Sequence, residues 1–179
     1  MRILVCGGAG YIGSHTCVVL AGRGHSLVVA DNYSNSSPKV FERLKEITGQ
    51  SLDVREVDLR DRAATDALLA GGAFDAVIHF AALKAVGESC ERPLDYFDNN
   101  ISGTINLLQA MKSAGVHRLV FSSSATVYGD PDRIPVDENA PLRVTNPYGR
   151  TKLVMEQLIE DLVANDPAFR AAVLRYFNP

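Results

Sequence analysis

A chain of 179 residues, 46% of them hydrophobic, carries enough apolar material for one single-core domain. Its 18 basic and 21 acidic residues leave a formal charge of −3; the basic ones form neither a run nor an aromatic-basic ladder, which argues against nucleic-acid binding. No apolar run approaches a membrane span, and the three scattered cysteines Cys6, Cys17 and Cys90 fit no metal pattern, so the expectation is a cytoplasmic protein with reduced thiols and no membrane partner.

The first predicted strand, 2–6, starts at once after Met1, so no leader is expected. Further strands are predicted at 26–31, 54–58, 75–81, 117–123 and 170–177. Most are continuous apolar runs, as in parallel strands buried on both faces. Helical patterns lie between them at 12–22, 38–47, 62–70, 95–114 and 148–164. In the last, Met155, Leu158, Ile159 and Leu162 form one apolar face. This alternation predicts an α/β fold: a Rossmann-type doubly wound parallel sheet with helices on both faces, forming one domain over 1–179. Right-handed crossovers then bring the carboxyl end of every strand to one edge, where ligands bind.

The first strand runs into Gly7-Gly8-Ala9-Gly10-Tyr11-Ile12-Gly13 and then a helical pattern. Gly7, Gly10 and Gly13 suit a turn that lets a diphosphate approach the backbone and rest on a helix N-terminus. The bland alternative is a tight strand-helix turn. Asp31 ends the second strand. A carboxylate there accepts from an adenosine ribose 2′-hydroxyl and repels a 2′-phosphate, which favours NAD over NADP. A helix or turn cap is the alternative.

After the third strand come Asp58 and Leu59, suited to an adenine amino group or to capping the next helix. After the fourth come Phe80, Ala81, Ala82 and Lys84: small residues that let a cofactor pass, and a lysine that faces either phosphate or solvent. After the fifth, Ser122-Ser123-Ser124-Ala125-Thr126 supplies hydroxyls that orient a substrate oxygen or merely bond within the loop.

Asn146 and Pro147 suit the start of the last long helix. Tyr148 and Lys152 then lie one turn apart on one face. Ionising a tyrosine near neutral pH requires a downward shift of about 3 units, roughly 4 kcal/mol. A lysine ammonium about 4 Å away supplies roughly that at an effective dielectric of ~20. Such a phenol can take a proton from an alcohol while hydride leaves for NAD. The bland alternative is a surface pair.

The residues Gly7 to Gly13, Leu83 to Ser89, Asp98-Asn99-Asn100, Phe121 to Gly129, Tyr148-Gly149-Arg150-Thr151-Lys152 and Arg175-Tyr176-Phe177-Asn178-Pro179, in that order, resemble the extended short-chain dehydrogenase/reductase family, over essentially the whole chain. The resemblance implies that Tyr11 and Ile12 lie at the NAD diphosphate, and that Asp31, Asn32, Asn35 and Ser36 hold the adenosine ribose. It assigns the adenine to Asp58 and Leu59, and the rest of the cofactor path to Phe80, Ala81, Ala82, Lys84 and Asn99. It makes Ser124 the partner of the sugar hydroxyl, Tyr148 the base, Lys152 the holder of the nicotinamide ribose, Phe177 a neighbour of the nicotinamide and Asn178 a contact of the nucleotide sugar. The implied reaction is transient oxidation at C4 of a UDP-hexose by tightly bound NAD, interconverting UDP-galactose and UDP-glucose.

Two rival readings stand beside it. A 4,6-dehydratase, with other nucleotide-sugar members such as UDP-glucuronate epimerases or decarboxylases, is the first. Elimination of water calls for an acid and a base after the fifth strand, where this chain has Ala125 and Thr126. The second is an NAD-binding module or fragment without catalysis, because family members continue into a substrate-binding portion beyond Pro179. The resemblance further implies a homodimer through the helices 95–114 and 148–164.

Overall fold

The computed structural model describes residues 1–177. Six strands form one sheet: β1 (Arg2–Cys6), β2 (Ser26–Asp31), β3 (Asp53–Glu56), β4 (Ala76–His79), β5 (Arg118–Ser124) and β6 (Arg170–Tyr176). All neighbours pair in parallel, in the order β3-β2-β1-β4-β5-β6. The order reverses between β1 and β4, so a crevice opens there at the carboxyl edge.

Each face of the sheet has its own core. On one, Ile3, Val5, Leu27, Val29 and Ile78 pack with Cys17 of α1 (Tyr11–Gly22) and Leu44 of α2 (Val40–Thr48). On the other, Leu4, Val28, Val77 and Phe121 meet Leu69 of α3 (Arg62–Ala70), Leu107 and Met111 of α6 (Gly103–Ser113), and Met155 and Ile159 of α7 (Pro147–Asn165). Adjacent residues of β1 thus serve opposite cores, as a doubly covered parallel strand must. The edge strand β6 alternates between exposed and half-buried residues along most of its length, because only the face carrying Ala171 and Val173 packs on a core.

The expected helix 95–114 is instead three pieces. They are α5 (Pro93–Phe97), a π turn at Asp98–Ser102, and α6. A short helix α4 (Val86–Glu91) precedes them, too brief for its periodicity to register in sequence. Arg92, at φ −128° and ψ 55°, breaks the chain between α4 and α5, in keeping with the restriction that Pro93 puts on the residue before it. Among the described residues, no helix is long and apolar enough to cross a membrane, and no group of three or more His, Cys, Asp or Glu side chains is placed to hold a metal ion. The thiols of Cys6 and Cys17 are buried, and burial pushes both up to about 12.

Candidate active site

The carboxyl edge encloses a cleft of about 1100 Å³. At its floor, β1 turns into α1 through Gly7, whose φ is +78°. A Cβ on Gly7 would stand 2.4 Å from the Ala81 amide nitrogen, and one on Gly13 2.3 Å from the Gly7 carbonyl oxygen. Both glycines are therefore required by the packing of turn, helix and β4 end. Gly10 differs. Its φ is −74°, and a Cβ there would meet only the Gly7 carbonyl oxygen, at 3.4 Å. The fold tolerates a side chain at Gly10, which lines the cleft, so the glycine there leaves open space in the cleft and answers no packing demand. No side chain caps α1 at this end, so its first-turn N–H groups are open to an anion.

Asp31 ends β2 beneath this turn and is buried. Its Oδ2 accepts from the Ala9 amide at 3.0 Å, and its Oδ1 from the Tyr33 amide and the Ser36 hydroxyl, both at 2.9 Å. The carboxylate is thus aimed by the glycine turn on one side and by the following loop on the other. Asn32 and Asn35 line the cleft with it; Ser36 does not, and serves to hold Asp31. Asp58 is clasped by Arg60 at 2.7 Å, with Asn32 donating to it at 3.1 Å. The guanidinium, chiefly by its hydrogen bond, holds the Asp58 carboxyl down at about 2. The helix cap that was the alternative for Asp58 falls to Asp61, which accepts from the Ala64 amide.

Phe80, Ala81, Ala82 and Lys84 follow β4 along the cleft wall, with Leu59 and Asn99. Asn99 donates to the Oδ1 of Asn100. Asn100 is buried, and it bonds both the amide and the carbonyl of Leu83 and donates to the Thr151 hydroxyl. The π turn places this one side chain between the β4 end and α7; π turns recur at functional sites.

The Asn146 side chain caps α7, accepting from the Gly149 amide at 2.8 Å, while the Ser89 hydroxyl accepts from the Tyr148 amide at 3.2 Å. Tyr148 and Lys152 are both buried on the cleft wall. Lys152 Nζ donates to the Ser122 carbonyl at 2.8 Å and lies 6.0 Å from the Tyr148 ring centroid. Burial raises the Tyr148 phenol, and the Ser124 hydroxyl beside it offsets only part of that. The expected depression by a lysine ammonium is corrected here: the ammonium is turned to β5 and is itself brought down to about 8 by burial, with Glu156 opposing. Ser124 stands at the end of β5, accepting from the amide and hydroxyl of Thr126 at 3.2 and 3.0 Å. Phe177 lines the same end of the cleft, stacked on Tyr128 with centroids 6.4 Å apart. Asn178 lies outside the described residues.

Sequence reasoning missed the polar knot behind Lys152. Glu156 is buried one turn further along α7; Arg175 of β6 grips it with both Nε and Nη2, the latter at 2.7 Å, and the Ser123 hydroxyl bonds it from β5. The i, i+4 spacing of Lys152 and Glu156 was the available signal, but nothing local pointed to Arg175.

Residues 3–179 match the NAD dependent epimerase/dehydratase family. The chain is 56% identical over its whole length to a UDP-glucose 4-epimerase of Bacillus subtilis, covering 53% of that relative, and 51% identical to one of Mus musculus, again covering 53% of it. It spans about half the length of the curated relatives it matches. Among solved structures, it resembles a UDP-glucose 4-epimerase of Bifidobacterium longum in complex with NAD+ and UDP, with a TM-score of 0.98 and 46% identity over 100% of this chain and 54% of that one. A second, from Stenotrophomonas maltophila with bound NAD and formylated UDP-arabinopyranose, gives a TM-score of 0.97 and 56% identity over 100% of this chain and 53% of that one.

Proposed function

The chain belongs to the NAD dependent epimerase/dehydratase family, and from that premise we propose that it is the NAD-binding portion, bearing the Tyr-Lys pair, of an enzyme that interconverts UDP-galactose and UDP-glucose by transient oxidation at C4. One observation carries the reading: the glycine turn, Asp31, Ser124, Tyr148 and Lys152 share a single cleft, in a chain half of whose residues coincide with those of UDP-glucose 4-epimerases.

The cleft fits NAD on its own chemistry. Gly10 leaves room beside an uncapped helix N-terminus. Asp31, at the end of β2, offers its carboxylate to a ribose diol and repels a 2′-phosphate. NAD, when bound, supplies the hydride acceptor, and its positive nicotinamide ring favours the Tyr148 phenolate. Tyr11, Ile12, Gly7 and Gly13 hold the diphosphate. Asn32 and Asn35 hold the ribose with Asp31, and Ser36 acts through Asp31. Asp58 and Leu59 take the adenine, and Phe80, Ala81, Ala82, Lys84 and Asn99 line the remaining path. Tyr148 Oη takes the C4 hydroxyl proton and later returns it. Ser124 hydrogen-bonds the same hydroxyl, Lys152 holds the nicotinamide ribose, and Phe177 packs beside the nicotinamide. Asn178 is assigned to the nucleotide sugar.

The test pairs NAD binding by this chain with conversion of UDP-galactose by the protein that carries it. Binding with conversion and no net NADH release is expected. Accumulating NADH would replace the epimerase with a dehydrogenase, and failure to bind NAD would remove the cofactor assignment. A second reading is an NAD-binding module without catalysis; NAD binding with no conversion would establish it. A 4,6-dehydratase is disfavoured because Ala125 and Thr126 can do no proton work. The setting we propose is cytoplasmic galactose metabolism, with a homodimer built through α5, α6 and α7.

A further inference from the structure

Between the end of β4 and the start of α4, residues 80–85 run along the cleft without regular secondary structure. Backbone groups in such a stretch still need partners. The Phe80 and Ala81 amides find one in the Cys6 carbonyl, at 2.8 and 3.1 Å. Beyond them the support comes from side chains. Asn100, buried on the π turn, accepts from the Leu83 amide at 2.8 Å and donates to the Leu83 carbonyl at 2.9 Å. The Tyr96 hydroxyl of α5 accepts from the Ala85 amide at 3.1 Å. One helical stretch thus holds the chain on both sides of Lys84.

The Tyr96 side chain is itself fixed. It is buried, and its hydroxyl donates to Glu88 Oε2 at 2.8 Å. With the proton committed to Glu88, the oxygen lone pairs are left to the Ala85 amide. Burial, and then Glu88, push the phenol up to about 12, so it is a hydroxyl at neutral pH. Glu88 is the acid nearest to Lys84 along the chain, and it is occupied: besides Tyr96 it takes Arg92, at 3.3 Å. Lys84 is exposed, lines the cleft and forms no ion pair among the described residues. Its charge is free for an anion in the cleft, while the backbone on either side of it is pinned.

We propose that Tyr96 is a positioning residue: its hydroxyl, oriented by Glu88, holds the Ala85 amide and so aims the Lys84 ammonium at a phosphate of the bound dinucleotide. The proposal rests on the NAD reading above for the anion, and on the two hydrogen bonds of Tyr96 for the aim. Tyr96 acts through Lys84 rather than on the reacting atoms.

The test is a double-mutant cycle on NAD affinity, read by calorimetry on this chain. Tyr96→Phe keeps the ring and removes the hydroxyl; Lys84→Ala removes the charge. Tyr96→Phe is expected to weaken NAD about fivefold when Lys84 is present, and by less than about twofold when position 84 is already alanine. Equal weakening in both backgrounds means a merely structural role and overturns the proposal. No effect of Lys84→Ala takes the lysine out of the cofactor path and overturns it as well. Amide hydrogen exchange reads the Tyr96 contact without NAD. The Ala85 amide should exchange about tenfold faster or more in Tyr96→Phe, and an unchanged rate overturns the proposal. If Tyr96→Phe does not fold, the unaltered chain decides: its Ala85 amide should be better protected than those of Ala82 and Lys84, and the reverse order overturns the proposal. Failure of the unaltered chain to bind NAD would sink the cofactor reading and leave Ala85 exchange to judge the Tyr96 hydroxyl separately.

Discussion

Two side chains of the cleft wall stand in environments that oppose the charges proposed for them. Burial holds the Tyr148 phenol up and the Lys152 ammonium down. Tyr148→Phe should therefore abolish turnover, by a factor of about 10² or more for a lost proton acceptor, while NAD affinity measured by fluorescence titration stays within about threefold. Equal loss of both would move Tyr148 from base to scaffold. Lys152 carries a stability consequence with a definite sign. Its value falls from 10.5 to about 8 on folding, so between those limits the unfolded chain binds the extra proton and stability rises with pH. Below pH 8 the full penalty applies. Lys152→Met should stabilise the fold at pH 7 by roughly 2 kcal/mol, after allowance for the lost Ser122 hydrogen bond, and should flatten the rise seen by urea unfolding between pH 8 and 10. The same variant should lose NAD affinity, a trade of stability against function. That Tyr148, Lys152 and Asp31 meet in one cleft was legible in sequence, because it follows from spacing and strand position. The direction of the Tyr148 shift was not, because it depends on how far the ring is buried and where the ammonium points.

At the level of elements, the glycine turn separates two demands that look alike in sequence. A Cβ at Gly13 would collide with the Gly7 carbonyl, whereas one at Gly10 finds ordinary contact distance. Gly13→Ala should cost about 2 kcal/mol or more by forcing the backbone apart. Gly10→Ala should leave the melting temperature within a few degrees yet weaken NAD tenfold or more, as read by calorimetry. A large stability loss in Gly10→Ala would return that glycine to the fold. The alternation of strands and helices was readable because long apolar runs and 3.6-residue periodicity persist over many residues. The interruption of 95–114 was not. It depends on Asn100 reaching Leu83 and Thr151, which lie 17 and 51 residues away in the chain. The Glu156–Arg175 pair escaped for the same reason, since only the parallel pairing of β5 with β6 brings Arg175 opposite Ser123.

Over the whole molecule, the sheet carries one buried histidine that no proposed chemistry uses. The Thr104 hydroxyl donates to the Asn100 carbonyl at 2.6 Å, so the His79 Nε2–H must be the donor in its 2.9 Å contact with Thr104. This leaves Nδ1 of His79 as a buried acceptor without a protein partner. Burial, aided by Lys152, brings His79 down from 6.5 to about 3. Between those values the unfolded chain holds the proton and the folded one does not, so stability falls as pH falls, by about 1.4 kcal/mol per pH unit once well below 6.5. His79→Gln keeps the Thr104 bond and should remove that slope between pH 4 and 6 in urea unfolding; an unaltered slope would assign acid unfolding to other groups. The sheet imposes a second whole-molecule constraint through three consecutive serines of β5. Ser122 lends its carbonyl to Lys152, Ser123 its hydroxyl to Glu156, and Ser124 its hydroxyl to the cleft. Successive side chains of a strand point to opposite faces, so the count of each residue from the pairing with β6 matters as much as its identity. A single inserted or deleted residue upstream in β5 would turn Ser123 away from α7 and displace both the Ser122 carbonyl from Lys152 and the Ser124 hydroxyl from the strand end. Descendants of this sequence can exchange apolar letters along β5, but the hydroxyls of Ser123 and Ser124 and the register that aims them are held together.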